Sequence, residues 1–121
     1  MSKTILIVED NKLNMKLFND LLQVHGYNTV QAIDGRDFLN LVRKNKPDLI
    51  LMDIRLREIS GLELTKMLKA DDRLRRIPVV AVTAFAMKKD KEKIWECGCD
   101  GYLPKPVSVQ PLLDTVSKFL S

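Results

Sequence analysis

The chain has 121 residues, which suits one domain, and 45% of them are hydrophobic, enough for a sizeable core. No apolar run approaches the roughly 20 residues of a membrane-spanning helix, and the short apolar run at the start leads into acids, unlike a signal peptide, so we expect a cytoplasmic protein. Lys and Arg number 20 against 16 acids, but they are spread along the chain and aromatics make up 6%, so we expect no direct nucleic-acid or membrane partner.

Segments with the composition of β-strands recur along the chain and alternate with helical patterns. We predict strands over residues 4–10, 29–33, 47–53, 77–84 and 100–105. The first, third and fourth of these segments are almost continuously apolar. Such runs are typical of parallel strands that are covered on both faces.

The spacing of apolar residues predicts a helix after each strand. The first helix should end near His25 and Gly26, the second covers residues 34–45, and the fourth runs roughly from Met87 to Glu96. Ser108 stands where the N-cap of the last helix belongs, and Pro111 falls in its first turn. The predicted inward positions are Leu17, Phe18, Leu21, Leu22, Phe38, Leu39, Val42, Leu64, Met67, Leu68, Ile94, Trp95, Val109, Leu112, Leu113, Val116, Phe119 and Leu120.

This alternation of strands and helices predicts an α/β fold with a parallel sheet, right-handed crossovers and helices on both faces. With five strands, we expect the flavodoxin-like, doubly wound (βα)5 arrangement in the order 2-1-3-4-5. Ligands of such sheets bind outside the carboxyl ends of the strands, near the switch point between the first and third strands. The functional residues should therefore follow the strands directly.

Polar residues do stand at these predicted strand ends. Glu9 and Asp10 follow the first strand, Asp53 ends the third, Thr83 ends the fourth and Lys105 ends the fifth. Three carboxylates at one edge repel each other unless a cation compensates them, and Mg²⁺ prefers oxygen ligands of this kind. We therefore expect a common site with Mg²⁺, for which Mn²⁺ can substitute.

Taken singly, each of these residues has an ordinary structural interpretation. An acidic pair after a strand often begins a helix, an aspartate often caps a turn, and a Lys-Pro pair often stops a strand. The combination favours a site in which Asp53 is a nucleophile towards phosphorus. The single histidine, His25, is predicted far from it, which argues against zinc and a histidine-based hydrolase, and no glycine-rich phosphate loop is present.

Two cysteines, Cys97 and Cys99, stand close together in the chain. Two thiols make neither a disulfide framework nor a complete zinc site. We expect them to be reduced and packed near a helix end.

The segments LIVEDN, PDLILMDI, SGLEL, PVVAVTA and GYLPKP, in this order, resemble the receiver domain of two-component response regulators. The resemblance covers essentially the whole chain and implies one receiver domain over residues 1–121 without an output domain. EDNKLNMKLF and IPVVAVTAFAMK are most similar to single-domain members that act in bacterial cell division and polarity.

The resemblance implies a role for each residue at the strand ends. Asp53 would be the phosphoacceptor, loaded from a phosphohistidine of a sensor histidine kinase or a histidine phosphotransferase. Asp10 and Asp53 would bind Mg²⁺ through their carboxylates, Arg55 through its backbone carbonyl, and Glu9 mostly through water. The domain would catalyse its own phosphorylation and slow dephosphorylation, and it would be a signalling protein more than an enzyme.

The resemblance also implies a conformational switch. Thr83 and Lys105 would contact the phosphoryl group, Tyr102 would swing inward, and the Lys105–Pro106 peptide would be cis. The surface of the fourth helix, fifth strand and fifth helix would then dock regulatory proteins, although its lysines are equally consistent with a merely solvated face. The lysines in question are Lys88, Lys89, Lys91 and Lys93. We expect a monomer or a weak dimer.

Two positions bear on how far the resemblance holds. Arg57 stands where the family commonly has proline, which puts the rigidity of that loop in doubt. Phe85 occupies a position that influences the rate of dephosphorylation. Alternative interpretations are a receiver-like module that works without phosphorylation, or the receiver part of a truncated DNA-binding regulator. An aspartate phosphatase would usually have a second aspartate at the position of Arg55.

Overall fold

The computed structural model describes residues 2–56, 59–84 and 88–120, of which 88 and 89 are described by their backbone alone. Within these ranges all strand pairs are parallel, in the order β2-β1-β3-β4-β5, which confirms the predicted fold. No helix of the described part is long and apolar enough to cross a membrane. In chain order the elements are β1 Thr4–Val8, α1 Lys12–Val24, β2 Asn28–Ala32, α2 Phe38–Asn45, β3 Leu49–Asp53, α3 Gly61–Lys69, β4 Val79–Thr83, α4 Lys88–Glu96, β5 Gly101–Pro104 and α5 Val109–Leu120.

The sheet buries side chains on both of its faces. Alternate residues of β1, β3 and β4 point to opposite faces. Ile50 and Met52 pack on the side of α2, α3 and α4, whereas Leu49 and Leu51 pack on the side of α1 and α5. This two-sided burial explains why these strands are continuously apolar, since each fully buried side chain of this size contributes about 1.5–3 kcal/mol.

The boundaries of the first two helices follow from local hydrogen bonds. The Asn11 side chain caps α1 by accepting from the backbone N–H of Asn14 at 3.0 Å. The helix ends at Val24, with His25 as its C-cap before Gly26, whose φ is +90°, close to the predicted position. The prediction for the second helix was wrong at its start, because α2 begins at Phe38. The Asp34 carboxylate accepts from the N–H of Arg36 at 3.0 Å, and this local turn competes with helix.

Several predicted inward positions were wrong. The exposed fractions of Leu17, Met67, Trp95 and Val109 are 49%, 44%, 50% and 51%. The apolar stripe of α1 is centred on Met15, Phe18 and Leu22, so Leu17 lies beside it. Apolar spacing indicates a helix, but where an amphipathic stripe is broad it does not determine which of two adjacent residues faces the core.

A lysine joins three segments at the opposite end of the sheet from the predicted site. The ammonium of Lys69 donates to the backbone carbonyls of Arg75 and Ile77, at 3.0 and 2.8 Å, and to the Asp100 carboxylate at 2.9 Å. The other donor to Asp100 is the N–H of Val79, at 2.9 Å. The lysine therefore ties the end of α3 to the starts of β4 and β5.

Replacing Lys69 with methionine should lower the free energy of unfolding by about 1–2 kcal/mol, because the carbonyls of Arg75 and Ile77 lose this donor and Asp100 keeps only the N–H of Val79. Urea denaturation measures the change. Lys66→Met is the matched control, since Lys66 is exposed and lies 3.9 Å from the Glu63 carboxylate, and it should cost less than about 0.5 kcal/mol. Equal effects of the two substitutions would contradict the assigned role of Lys69.

Candidate functional site

The pairing of β1 with β3 brings the acidic residues together. Val8 pairs with Met52 in this register, so Glu9, which follows β1, lies beside Asp53, the last residue of β3. Each of Glu9, Asp10 and Asp53 offers a carboxylate oxygen, and these oxygens lie within 4.8 Å of one another. The predicted convergence of the three carboxylates is therefore confirmed.

Lys105 extends from the end of β5 into this cluster. Its ammonium nitrogen lies 3.2 Å from Oε1 of Glu9 and 3.3 Å from Oδ2 of Asp53. Glu9 and Asp53 are 1% and 4% exposed, so both contacts are shielded from water. Within the described residues Oε1 of Glu9 accepts no hydrogen bond, which makes its contact with Lys105 ionic in character. Oε2 of Glu9 accepts from the N–H of Asn11 at 3.3 Å.

The crowding of charge is visible in the pKa of Glu9. Burial raises this pKa from its ordinary value of 4.5 to about 7, and the hydrogen bond and negative charge of Asp53 act in the same direction. The charge of Lys105 and the N–H of Asn11 lower it, but by less. Near neutral pH the Glu9 carboxyl is therefore partly protonated, and a metal ion that binds at the site can replace this proton.

The loop after β3 holds Asp53 in place. Oδ1 of Asp53 accepts from the N–H of Arg55 at 3.1 Å, and the N–H of Gly61 donates to the carbonyl of Ile54 at 3.0 Å. A Cβ at Gly61 would collide with the backbone oxygen of Asp53 and with the backbone of Ile54. The sequence analysis did not predict that position 61 requires glycine. The Ser60-Gly61 pair at the start of α3 was the feature of the sequence that could have indicated it.

The predicted switch residues lie on the adjacent strands. Thr83 ends β4 and is 3% exposed, and its carbonyl accepts from the N–H of Lys105 at 2.8 Å. The Lys105–Pro106 peptide is cis, as the resemblance implied. Tyr102 is half-buried, and the ammonium of Lys91 on α4 lies 5.2 Å from its ring centroid. The roles in phosphorylation and switching that were predicted for these residues stay predictions.

Some predicted positions lie outside the described residues. These are Arg57, Phe85 and Met87, together with the side chains of Lys88 and Lys89. Of the other α4 lysines, Lys93 is exposed and Lys91 is half-buried.

The chemistry of the cluster fits a hard divalent cation. Its donors are carboxylate oxygens, which Mg²⁺ and Mn²⁺ prefer, and the oxygens of the three side chains lie close enough to share one ion. The described part of the chain brings no thiol or imidazole to this cluster. A cation would also supply the positive charge that Lys105 alone does not, as the raised pKa of Glu9 indicates.

Comparisons with known proteins agree with this arrangement. A family model described as the response regulator receiver domain matches residues 5–117. The polar-differentiation response regulator DivK of Brucella anthropi is 56% identical over 120 residues, which cover 99% of this chain and 98% of that protein. DivK of Brucella ovis is 55% identical with the same coverage.

Solved structures match over the same extent. The receiver domain of a sensor histidine kinase from Pseudomonas aeruginosa, with a magnesium ion coordinated in its active site cleft, has a TM-score of 0.91 and 31% identity, covering 99% of this chain and 98% of that chain. The chemotaxis response regulator CheY4 of Vibrio cholerae has a TM-score of 0.92 and 25% identity, covering 98% of this chain and 99% of that chain. The similarity thus extends over every strand and helix.

The raised pKa of Glu9 should make stability depend on pH when no metal is present. The folded state holds the proton of Glu9 more tightly than the unfolded chain does, and this difference adds to the free energy of unfolding. The added stability is fully present below pH 4.5 and is lost as the pH rises through about 7. Urea denaturation in EDTA should show a loss on the order of 2 kcal/mol between about pH 5 and about pH 8. In Glu9→Gln this part of the pH dependence should disappear; a variant curve parallel to that of the wild type would refute the assignment.

Proposed function

The chain belongs to the response regulator receiver domain family, and from this premise we propose that Asp53 accepts a phosphoryl group from a phosphohistidine of a sensor histidine kinase or a histidine phosphotransferase. The observation that carries the proposal is the burial of Asp53 between Glu9 and the ammonium of Lys105. Such a carboxylate is held in one orientation beside a cation that can neutralise an incoming phosphoryl oxygen.

The proposed transfer needs no further reactant. A carboxylate oxygen of Asp53 attacks phosphorus, the P–N bond of the phosphohistidine breaks, and its electron pair returns to the imidazole. Lys105 neutralises charge on the phosphoryl oxygens, and the hydrogen bond from the N–H of Arg55 to Oδ1 keeps the Asp53 side chain oriented. Positioning and charge stabilisation supply most of the rate in such reactions. Self-catalysed phosphorylation and slow dephosphorylation belong to this proposal.

The residues proposed to hold Mg²⁺ are Asp10 and Asp53 through their carboxylates, Glu9 mostly through water, and Arg55 through its backbone carbonyl. The proximity of the three carboxylates supports this assignment, as does the magnesium ion in the active site cleft of the similar Pseudomonas receiver domain. When bound, the ion would neutralise the crowded carboxylates and the phosphoryl oxygens. Glu9 would lose its proton as the ion enters, since its ligand form is the carboxylate.

Phosphorylation would act as a switch on the partner face, which consists of α4, β5 and α5. An aspartyl phosphate adds charge and acceptor oxygens beside Lys105, and contact with Thr83 would favour one of two packings of this face. Tyr102 is placed to take part, because it lies on β5 and contacts Lys91 of α4. The outcome would be altered binding of regulatory proteins in cell division and polarity, a role supported by the similarity to the polar-differentiation regulator DivK. Cytoplasmic location and absence of an output domain stay predictions from the sequence.

The transfer is testable with a small phosphodonor. Incubated with Mg²⁺ and acetyl phosphate, the wild type should gain the mass of one phosphoryl group, which intact-mass spectrometry detects, and Asp53→Asn should gain none. Asp72→Asn is the matched control, since Asp72 is exposed and pairs with Arg75, and it should be labelled like the wild type. The same labelling of Asp53→Asn would place the acceptor elsewhere.

The contribution of Lys105 is testable separately. In Lys105→Met the rate of phosphorylation by acetyl phosphate should fall by roughly 10²-fold, because a positioned cation on the transferring group is lost. Lys44→Met, which removes an exposed cation from α2, should leave the rate unchanged. Stopped-flow or quenched-flow time courses measure both. A normal rate in Lys105→Met would show that the ammonium only stabilises the fold.

A further inference from the structure

Cys97 and Cys99 form a close pair of thiols in the turn between α4 and β5. Their sulfur atoms lie 3.6 Å apart, and both side chains are free and buried, at 4% and 6% exposure. The carboxylate cluster does not include them. Two sulfur atoms in van der Waals contact need only a small movement to bond to each other.

The backbone of the turn creates this contact. The N–H groups of Cys97, Gly98 and Cys99 donate to the carbonyls of the last turn of α4, at 3.1, 3.1 and 3.3 Å. Gly98 has a φ of +102°, which a residue with a side chain rarely adopts, and this value ends the helix and turns Cys99 back towards Cys97. A Cβ at Gly98 would also press on the side chain of Lys69. The Cys-Gly-Cys order is therefore required for the geometry.

The surroundings of the pair favour one thiolate. The hydrogen bond between the two thiols, in which either sulfur can be the donor, lowers the pKa of Cys97 to about 7, against the effect of burial, and the charge of Lys66 acts in the same direction. The pKa of Cys99 is raised, first by this hydrogen bond and then by burial. When protonated, the Cys97 thiol also donates to the carbonyl of Ile94 at 3.1 Å. The hydroxyl of Thr65, which donates to the carbonyl of Gly61 at 2.8 Å, lies 3.9 Å from the Cys99 sulfur. Cys97 is thus the nucleophile of the pair and Cys99 the resolving thiol.

We propose that Cys97 and Cys99 are a site of oxidative modification, at which hydrogen peroxide converts the two thiols into an intramolecular disulfide. The Cys97 thiolate attacks one peroxide oxygen, the O–O bond breaks, and hydroxide leaves with the electron pair. The sulfenic acid on Cys97 is then attacked by the sulfur of Cys99, which forms the S–S bond and releases water. In total two thiols are oxidised, one peroxide is reduced, and two water molecules form.

The burial of the pair restricts its co-reactant and its product. The side chains of Cys97 and Cys99 are 4% and 6% exposed, which leaves more room for a peroxide than for a bulky disulfide such as oxidised glutathione. The nearest resolving thiol is Cys99, at 3.6 Å, so an internal disulfide forms before a second chain can react. Metal binding is a weaker interpretation, because two thiolates do not complete a zinc site and the neighbouring Asp100 accepts from Lys69 and Val79.

The disulfide would join Cys97, directly after α4, to Cys99, two residues before the start of β5. These elements belong to the partner face, so any effect of oxidation on partner binding rests on the proposed function. The thiol chemistry itself does not, since it needs neither Asp53 nor a phosphodonor. A test on the unphosphorylated chain therefore separates failure of this inference from failure of the proposed function.

The test treats the folded, unphosphorylated protein with hydrogen peroxide, removes the peroxide, unfolds the chain and alkylates the remaining thiols. Intact-mass spectrometry should show the loss of two hydrogens and no alkylation, and dithiothreitol should restore both alkylation sites. Trp95 is the single tryptophan of the chain and lies two residues before Cys97, so its fluorescence should change with the same time course. Oxidised glutathione should give the product more slowly.

Cys97→Ser and Cys99→Ser provide the controls. Neither variant should show the loss of two hydrogens, and Cys99→Ser should accumulate oxygen adducts on Cys97 because its resolving thiol is absent. Far-UV circular dichroism reports whether each variant is folded, and the wild-type result stands without them. The proposal is overturned if the folded wild type keeps two alkylatable thiols, forms disulfide-linked dimers, or acquires oxygen on either cysteine without an internal disulfide.

Discussion

The crowding of negative charge at one end of the sheet is the constraint on which the site depends. The register of β1 against β3 places Glu9 beside Asp53, and Asp10 completes a set of oxygens within 4.8 Å. Buried carboxylates this close cannot all ionise without compensation. Lys105 compensates part of the charge, and the raised pKa of Glu9 shows that the compensation is incomplete. When no metal ion is bound, a proton on Glu9 therefore relieves the crowding of charge up to about pH 7.

This constraint links the site to the partner face. Lys105 reaches the carboxylates from the end of β5, and its N–H donates to the carbonyl of Thr83, so this residue connects Asp53 to the ends of both β4 and β5. Tyr102 and Lys91 carry the contact from β5 to α4. The Cys97–Cys99 pair lies at the other end of α4. In the proposed account, phosphorylation at one end of the helix and oxidation at the other act on the same surface.

Much of this arrangement could be predicted from the sequence, because the order of strands and the residues at their ends depend on local patterns. Continuous apolar runs identified the central strands, and the carboxyl ends of parallel strands meet at one edge whatever the detailed packing. What could not be predicted depends on contacts between distant segments. The network of Lys69 with Asp100 joins residues 31 apart in the chain, and the requirement for glycine at position 61 arises only where α3 approaches the backbone of Asp53. The exposure of Trp95 was not predicted either, because the spacing of apolar residues in a helix does not determine which of two adjacent residues is buried.

The most direct test of the account is the protonation of Glu9 itself. NMR of a chain labelled with ¹³C at the glutamate carboxyl carbons follows the titration of each side chain, and Glu9→Gln assigns the signal. In EDTA the Glu9 signal should titrate with a midpoint of about 7, and saturating Mg²⁺ should shift the midpoint to much lower pH, because the ion competes with the proton. A midpoint near 4.5, the ordinary value for glutamate, that does not change with Mg²⁺ would contradict the central claim.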